Sequence, residues 1–189
     1  MKFNNLLKLS IFMILSLSII GGCAGNSKKT LKSAPKWFVK VPEKKGFKLT
    51  TGTGKSADYQ QAINKAKLEA KADLGDMVRS EIKSNVDKVF EENTGNPDSG
   101  TLNLFKSTIE TTFSTLLEDW TITKKEVVTE GDNYFRAYVL IEWNEGKAHK
   151  RALDKIKSQK EIYDAVRASD MIQEMEDKVD KYCERYGCD

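Results

Sequence analysis

From Ala57 onward, apolar side chains recur at three- and four-residue steps for about thirty positions. They run through Tyr59, Ala62, Ile63, Ala66, Ala70, Leu74, Met77, Val78, Ile82, Val86 and Val89. That period is helical. The first half of the stripe is small, with Ala62, Ala66 and Ala70 at its centre. Small side chains let a helix axis approach a sheet closely, so this half is expected to lie against strands. Lys65, Lys67, Glu69, Lys71 and Asp73 occupy the other faces as a solvated surface.

The flanking segments supply the strands. Phe47 to Thr51 alternates apolar and polar and reads as a short strand. Gly52 and Gly54 follow, read as permitting a sharp strand-to-helix turn, with Ser56 as N-cap and Asp58 in the first helical turn. Glu91 to Gly100, with Gly95, Asn96 and Pro97, is a loop. Leu102, Phe105, Ile109, Phe113, Leu116 and Trp120 predict a second helix of about 15 residues. Trp120 to Val128 and Tyr134 to Trp143 then read as an antiparallel hairpin turning at Glu130 to Asn133. Its second strand carries one apolar face, Phe135, Ala137, Val139, Ile141 and Trp143, which predicts helical cover on one side.

Glu145 to Tyr186 contains no proline and one glycine, Gly146, predicting one long helix or two joined at a kink. Ile162, Ala165, Ala168, Ile172, Met175, Val179, Tyr182 and Tyr186 form a coiled-coil-like seam, packed either on its own domain or on another protomer. The predicted class is α+β: strand, long helix, second helix, antiparallel β-hairpin and long C-terminal helix, with a small sheet against the helices. No internal repeat is evident.

The N-terminus reads differently. Lys2 and Lys8 precede an apolar run from Ile11 to Ile20, which ends in Gly21-Gly22-Cys23. From Ile11 to Gly22 the stretch covers about 12 residues, too short for a membrane span, which takes roughly 20. A basic start, a short apolar stretch and small residues before a cysteine predict a lipoprotein signal over 1–22. Cys23 is then the lipidation site and first mature residue, held at a membrane by its acyl chains. Ala24, rather than Asp, follows it; by likeness to lipoproteins with known sorting rules this favours the outer membrane, with the domain in the periplasm. Residues 23–36 form a Lys-rich tether ending at Ser33-Ala34-Pro35, and 37–189 form a single domain.

Charge is balanced. The precursor has 31 basic and 28 acidic residues, and loss of Lys2 and Lys8 leaves 29 against 28. With no recognised module, nucleic acid is not an expected partner. Eight lysines lie between Lys28 and Lys48 against Glu43 alone; they are read as a solvated tether, able to lie against anionic headgroups. With Cys23 acylated, Cys183 and Cys188 remain as a pair suited to an oxidising compartment. A continuous helix would hold their Cα atoms about 8 Å apart, beyond disulfide reach. Gly187 ends the helix and turns the chain back, so a small terminal disulfide is expected.

No catalytic residues are assigned. Gly54-Lys55-Ser56 is the ending of a P-loop, but Leu49 stands where the motif needs its first glycine, so no nucleotide is expected. His149, between Lys147 and Lys150, is read as a surface histidine, and the dispersed carboxylates give no specific acid–base pair. No metal site or cofactor is expected; Cys183 and Cys188 lack companion ligands.

Pro35-Lys36-Trp37, then a strand ending in Gly52 and Gly54, then a helix with Ala62, Ala66, Ala70 and Leu74, together resemble the Lpp-twenty family of roughly twenty-kilodalton outer-membrane lipoproteins. The likeness covers Pro35 to Phe90. It implies an α+β domain, no enzymatic activity and no catalytic residues to carry over. Family members are similar to flagellum-associated lipoproteins that assemble into rings or disks. The long charged C-terminal helix with its cysteine pair departs from that pattern. The implied role is structural or assembly-related, with a protein partner or homo-oligomer. The alternative is a module binding an envelope polymer or small ligand through Trp37, Phe38, Tyr134 and Tyr138.

Overall fold

In the computed structural model, residues 34–93 and 99–188 are described. Residues 1–22, read from sequence as a signal, Cys23, most of the stretch read as a tether, and Gly95, Asn96 and Pro97 of the expected loop lie outside them. The folded unit begins at Pro35. A short helix α1 (Lys36–Val39) is followed by β1 (Lys48–Ser56), α2 (Tyr59–Glu92) and α3 (Ser99–Leu116). Then come β2 (Trp120–Thr129), β3 (Phe135–Trp143), α4 (Glu145–Lys157), α5 (Lys160–Val166) and α6 (Asp170–Tyr186). The three strands form one antiparallel sheet in the order β1-β3-β2, so the chain is α+β with a small sheet packed on helices.

Helix α2 is 34 residues long, about 51 Å at the α-helical rise. Its alanine half lies along β1. Thr50, Gly52 and Gly54 face it and are buried, and the Thr50 hydroxyl donates to the Ala70 carbonyl at 2.8 Å. A Cβ on Gly52 would overlap the Ala66 carbonyl oxygen, and one on Gly54 the Ala62 carbonyl oxygen. The two glycines are therefore strand residues and not a turn. β1 continues to Ser56, and the missing Cβ atoms let helix and strand backbones touch. The N-cap shifts accordingly. Asp58 accepts from the Gln61 N–H at 2.7 Å, while Ser56 ends the strand.

Beyond Leu74 the stripe grows larger, and Val78, Ile82, Val86 and Val89 join Leu102, Phe105, Ile109 and Phe113 of α3 in one core. Met77, counted in the stripe by spacing, is 46% exposed. α3 stops at Leu116, and Trp120 belongs to β2 instead. The Trp143 indole N–H donates to the Leu116 carbonyl at 2.7 Å, satisfying one of the acceptors a helix C-terminus leaves open.

β3 is central, paired with Gly52 at Val139 on one side and with Trp120 at Trp143 on the other. Ala137, Val139, Ile141 and Trp143 face the core. The opposite face is also covered at its centre, since Tyr138 and Leu140 are buried. The Phe38 ring from α1 stands 4.8 Å from that of Tyr138. Cover on one side alone is corrected by this contact.

The C-terminal stretch is three helices rather than one or two. The Ser158 hydroxyl donates to the Lys155 carbonyl and the Ser169 hydroxyl to the Val166 carbonyl, each at 2.7 Å. Such bonds to nearby carbonyls compete with helix continuation, and the chain breaks without proline or glycine. Folding back in this way buries Ile162, Ile172, Met175 and Val179 within the chain's own core. Ala168, by contrast, is exposed. Among the described residues no helix is long and apolar enough to cross a membrane.

Candidate functional site

Four segments distant in sequence bring their charged groups together where β1, α2, α4 and α6 meet. Lys48 opens β1, Glu81 lies in the second half of α2, Glu145 and His149 are one turn apart on α4, and Lys178 lies on α6. The Lys48 ammonium is 2.7 Å from Glu81 Oε2 and 3.1 Å from Glu145 Oε1. Lys178 reaches Glu81 Oε1 at 3.3 Å and Glu174 at 3.0 Å. His149 Nε2 faces Glu145 Oε1 at 3.5 Å.

Position on α4 explains Glu145. Asn144 caps the helix by accepting from the Lys147 N–H at 2.8 Å, and a carboxylate in the first turn is favoured by the helix dipole. Burial opposes its ionisation, yet the His149 N–H and the Lys48 ammonium outweigh burial and hold the carboxyl down at about 2. For Lys48, burial works to lower the pKa, but Glu81 and Glu145 outweigh it and raise the ammonium above its ordinary value. Glu81 is lowered, because Lys48 and Lys178 overcome the upward push of burial. Each partner thus fixes the others in their charged forms.

His149 is not a surface residue. It is 3% exposed, with the Phe113 ring edge-on at 5.3 Å between centroids. The signal for this was present, since His149, Ala152, Leu153 and Ile156 follow a helical core rhythm and all are buried. Flanking lysines masked it. The Nε2 edge of the ring faces the Glu145 carboxylate. Nδ1 has no partner among the described residues.

Glu81, Glu145 and His149 offer ligand atoms within 4.8 Å of one another, the kind of cluster that can hold a cation. The two carboxylates already share the Lys48 ammonium, so a metal ion would have to displace it. As an acid–base centre the cluster is equally committed. A carboxyl held near 2 is a weak base, and a lysine with a raised pKa is a poor one at neutral pH.

Beside the cluster opens a cleft of about 350 Å³. Gly146, His149, Tyr182 and Tyr186 form apolar and aromatic walls, and Lys45 and Arg185 lie among its lining groups. Tyr182 is seated by two glycines. A Cβ on Gly146 would overlap its ring, and the Cβ position of Gly46, where φ is +81°, lies 3.2 Å from that ring. Its hydroxyl accepts from the Asn144 amide at 2.8 Å.

The residues singled out by sequence fall elsewhere. Cys23 lies outside the described residues. Cys183 and Cys188 are bridged, with Cα atoms 4.9 Å apart, and Gly187 between them has φ +78°. Trp37, Phe38 and Tyr138 meet edge to face over the outer face of the sheet. Tyr134 stands apart at the hairpin, with the Lys55 ammonium 4.6 Å from its ring. At Gly52 and Gly54 the α2 backbone leaves no space for a phosphate on the buried face. Comparison with protein-family models, curated proteins and solved structures finds no match to this chain.

Proposed function

We propose that this chain is a lipid-anchored envelope protein, an outer-membrane lipoprotein whose α+β domain stands in the periplasm in a non-catalytic, structural or assembly role. The observation that carries the reading is Gly21-Gly22-Cys23 closing the Ile11–Ile20 run behind Lys2 and Lys8. The folded unit starts at Pro35, which leaves a short polar spacer after Cys23. The commitment of Lys48, Glu81 and Glu145 to one another supports a non-catalytic domain. Kinship with the Lpp-twenty family, and with it a flagellar or other motility-associated setting, belongs to the same proposal.

Burial of Ile162, Ile172, Met175 and Val179 inside the fold argues against the Ile162–Tyr186 seam as an assembly contact. The exposed apolar side chains Leu68 and Met77 of α2 and Leu104 of α3 are the better candidates for a protein partner or second copy. Metabolic labelling with an alkyne fatty acid tests the anchor. Label should enter the wild-type protein, vanish in Cys23→Ala and follow the outer-membrane fraction. Label retained in Cys23→Ala refutes the reading. A second reading, an envelope ligand-binding module, is favoured by the basic, tyrosine-walled cleft rather than by Trp37, Phe38, Tyr134 and Tyr138.

A further inference from the structure

We propose that the cleft between α4 and α6 binds a phosphorylated sugar, with Lys45 and Arg185 taking the phosphate and the Tyr182–Tyr186 wall taking the ring. This deepens the ligand-binding reading. It rests on the cleft and not on the anchor, so failure to bind and failure to be acylated are separate outcomes.

Charge points to an anion. Four cationic residues line the cleft, Lys45, Lys178, Lys181 and Arg185, against one acidic residue, Glu145. Glu145 is already paired with Lys48 at 3.1 Å, an ammonium it shares with Glu81. Lys178 is occupied by Glu81 and Glu174. Lys181 has only Asp177 at 3.6 Å, with both side chains about three-quarters exposed. Neither the Lys45 ammonium nor the Arg185 guanidinium forms an ion pair with another described residue. A guanidinium and an ammonium at one cleft, unpaired among the described residues, match a phosphate group, for which arginine offers a planar fork and lysine a point charge.

Shape and polarity point to a sugar. α6 presents Lys178, Lys181, Tyr182, Arg185 and Tyr186 at helical spacing, so cations and rings share one face. The two tyrosine rings lie 5.2 Å apart and tilted by 40°, forming an apolar wall for the CH face of a pyranose. The Tyr186 hydroxyl is fixed by donating to the Lys45 carbonyl at 3.0 Å. This ties the phosphate-binding turn to the aromatic wall. His149, in the same lining, presents little surface to the cleft, since it is 3% exposed. The volume of about 350 Å³ exceeds the needs of bare phosphate and falls at the small end of ligand pockets, roughly 300–1,000 Å³.

Such a group occurs both in soluble sugar phosphates and in phosphorylated glucosamine lipids. Titration calorimetry of the full chain in detergent separates the two sources. N-acetylglucosamine 1-phosphate, inorganic phosphate and N-acetylglucosamine serve as soluble probes, and a monophosphorylated glucosamine disaccharide lipid in mixed micelles as the lipid probe. The sugar phosphate should bind at least about tenfold tighter than phosphate or sugar alone. Arg185→Gln and Lys45→Gln should each weaken it about tenfold, the scale of one charge-assisted hydrogen bond. Tyr186→Ala should reduce it to the level of inorganic phosphate, with thermal unfolding verifying that each variant is folded. A tighter lipid probe assigns the lipid source, and a tighter soluble probe the free one. No saturable heat with either phosphosugar, equal binding of phosphate alone, or affinity unmoved in the folded variants overturns the proposal.

Discussion

Gly52 of β1 lies so close to Ala66 of α2 that a methyl group at position 52 would overlap the Ala66 carbonyl oxygen. Gly54 repeats the relationship one helical turn earlier at Ala62. The sheet and the longest helix are therefore joined backbone to backbone.

Gly52→Ala should destabilise the domain by about 3 kcal/mol or more, since overpacking against backbone cannot be relieved by a side-chain rotation. Gly75 of α2 is the contrast. A Cβ there meets only the mobile end of Arg79, so Gly75→Ala should gain roughly 0.5–1 kcal/mol from helix propensity. Urea unfolding of both variants checks the pair, and a mild Gly52→Ala would contradict the close contact.

Acid stability should follow Glu145. Its carboxyl is held at about 2 in the fold against an ordinary value of 4.5. A depressed carboxyl contributes stability that is complete above the unfolded value and lost as pH falls toward the folded one. Stability should therefore decline between about pH 5 and pH 2, and Glu81, also lowered, acts in the same sense. Lys48, whose pKa is raised, contributes below its ordinary 10.5 and loses that contribution only in strong alkali. In Glu145→Gln the acid limb should flatten and neutral stability fall by about 1–3 kcal/mol, the worth of hydrogen bonds to charged groups. Urea midpoints across pH report both effects.

Burial of the C-terminal seam in its own chain makes a further prediction. Ile172, fully buried, should cost about 2–5 kcal/mol when changed to Ala. Leu68, 70% exposed, should stay within about 0.5 kcal/mol. If Ile172→Ala were instead neutral for unfolding while altering only the association state by light scattering, the seam would be an intermolecular one.

The Cys183–Cys188 bridge closes the end of the helix that carries Tyr182 and Tyr186. Reduction should cost about 2 kcal/mol by the loop-entropy estimate for so short a loop. Fraying of the last turn of α6 should also weaken any ligand of the cleft. Thermal unfolding with and without reductant measures the first effect, and calorimetry with N-acetylglucosamine 1-phosphate the second.

Large apolar residues in period made α2, α3 and the hairpin legible from sequence, and with them the α+β class. Thr50, Gly52 and Gly54 were harder to read. A strand face built from small residues lacks the apolar signal of a strand, and its meaning appears only beside Ala62, Ala66 and Ala70. The breaks after Lys157 and Val166 escaped for a related reason. Serine ends a helix there through a local hydroxyl bond, whereas the same residue elsewhere sits quietly within one. The ionic cluster draws Lys48, Glu81, Glu145 and Lys178 from four elements, so no local spacing announces it. His149 alone left a trace, in its fit to the buried rhythm of α4.

Intact mass spectrometry of the protein extracted from membranes decides whether Cys23 is the acylated N-terminus. The expected species begins at Cys23, heavier by a diacylglyceryl group and further acyl substitution, and lighter by the two hydrogens lost in the Cys183–Cys188 bridge. A mass that retains residues 1–22, or that begins at or near Cys23 without acyl groups, would contradict that reading.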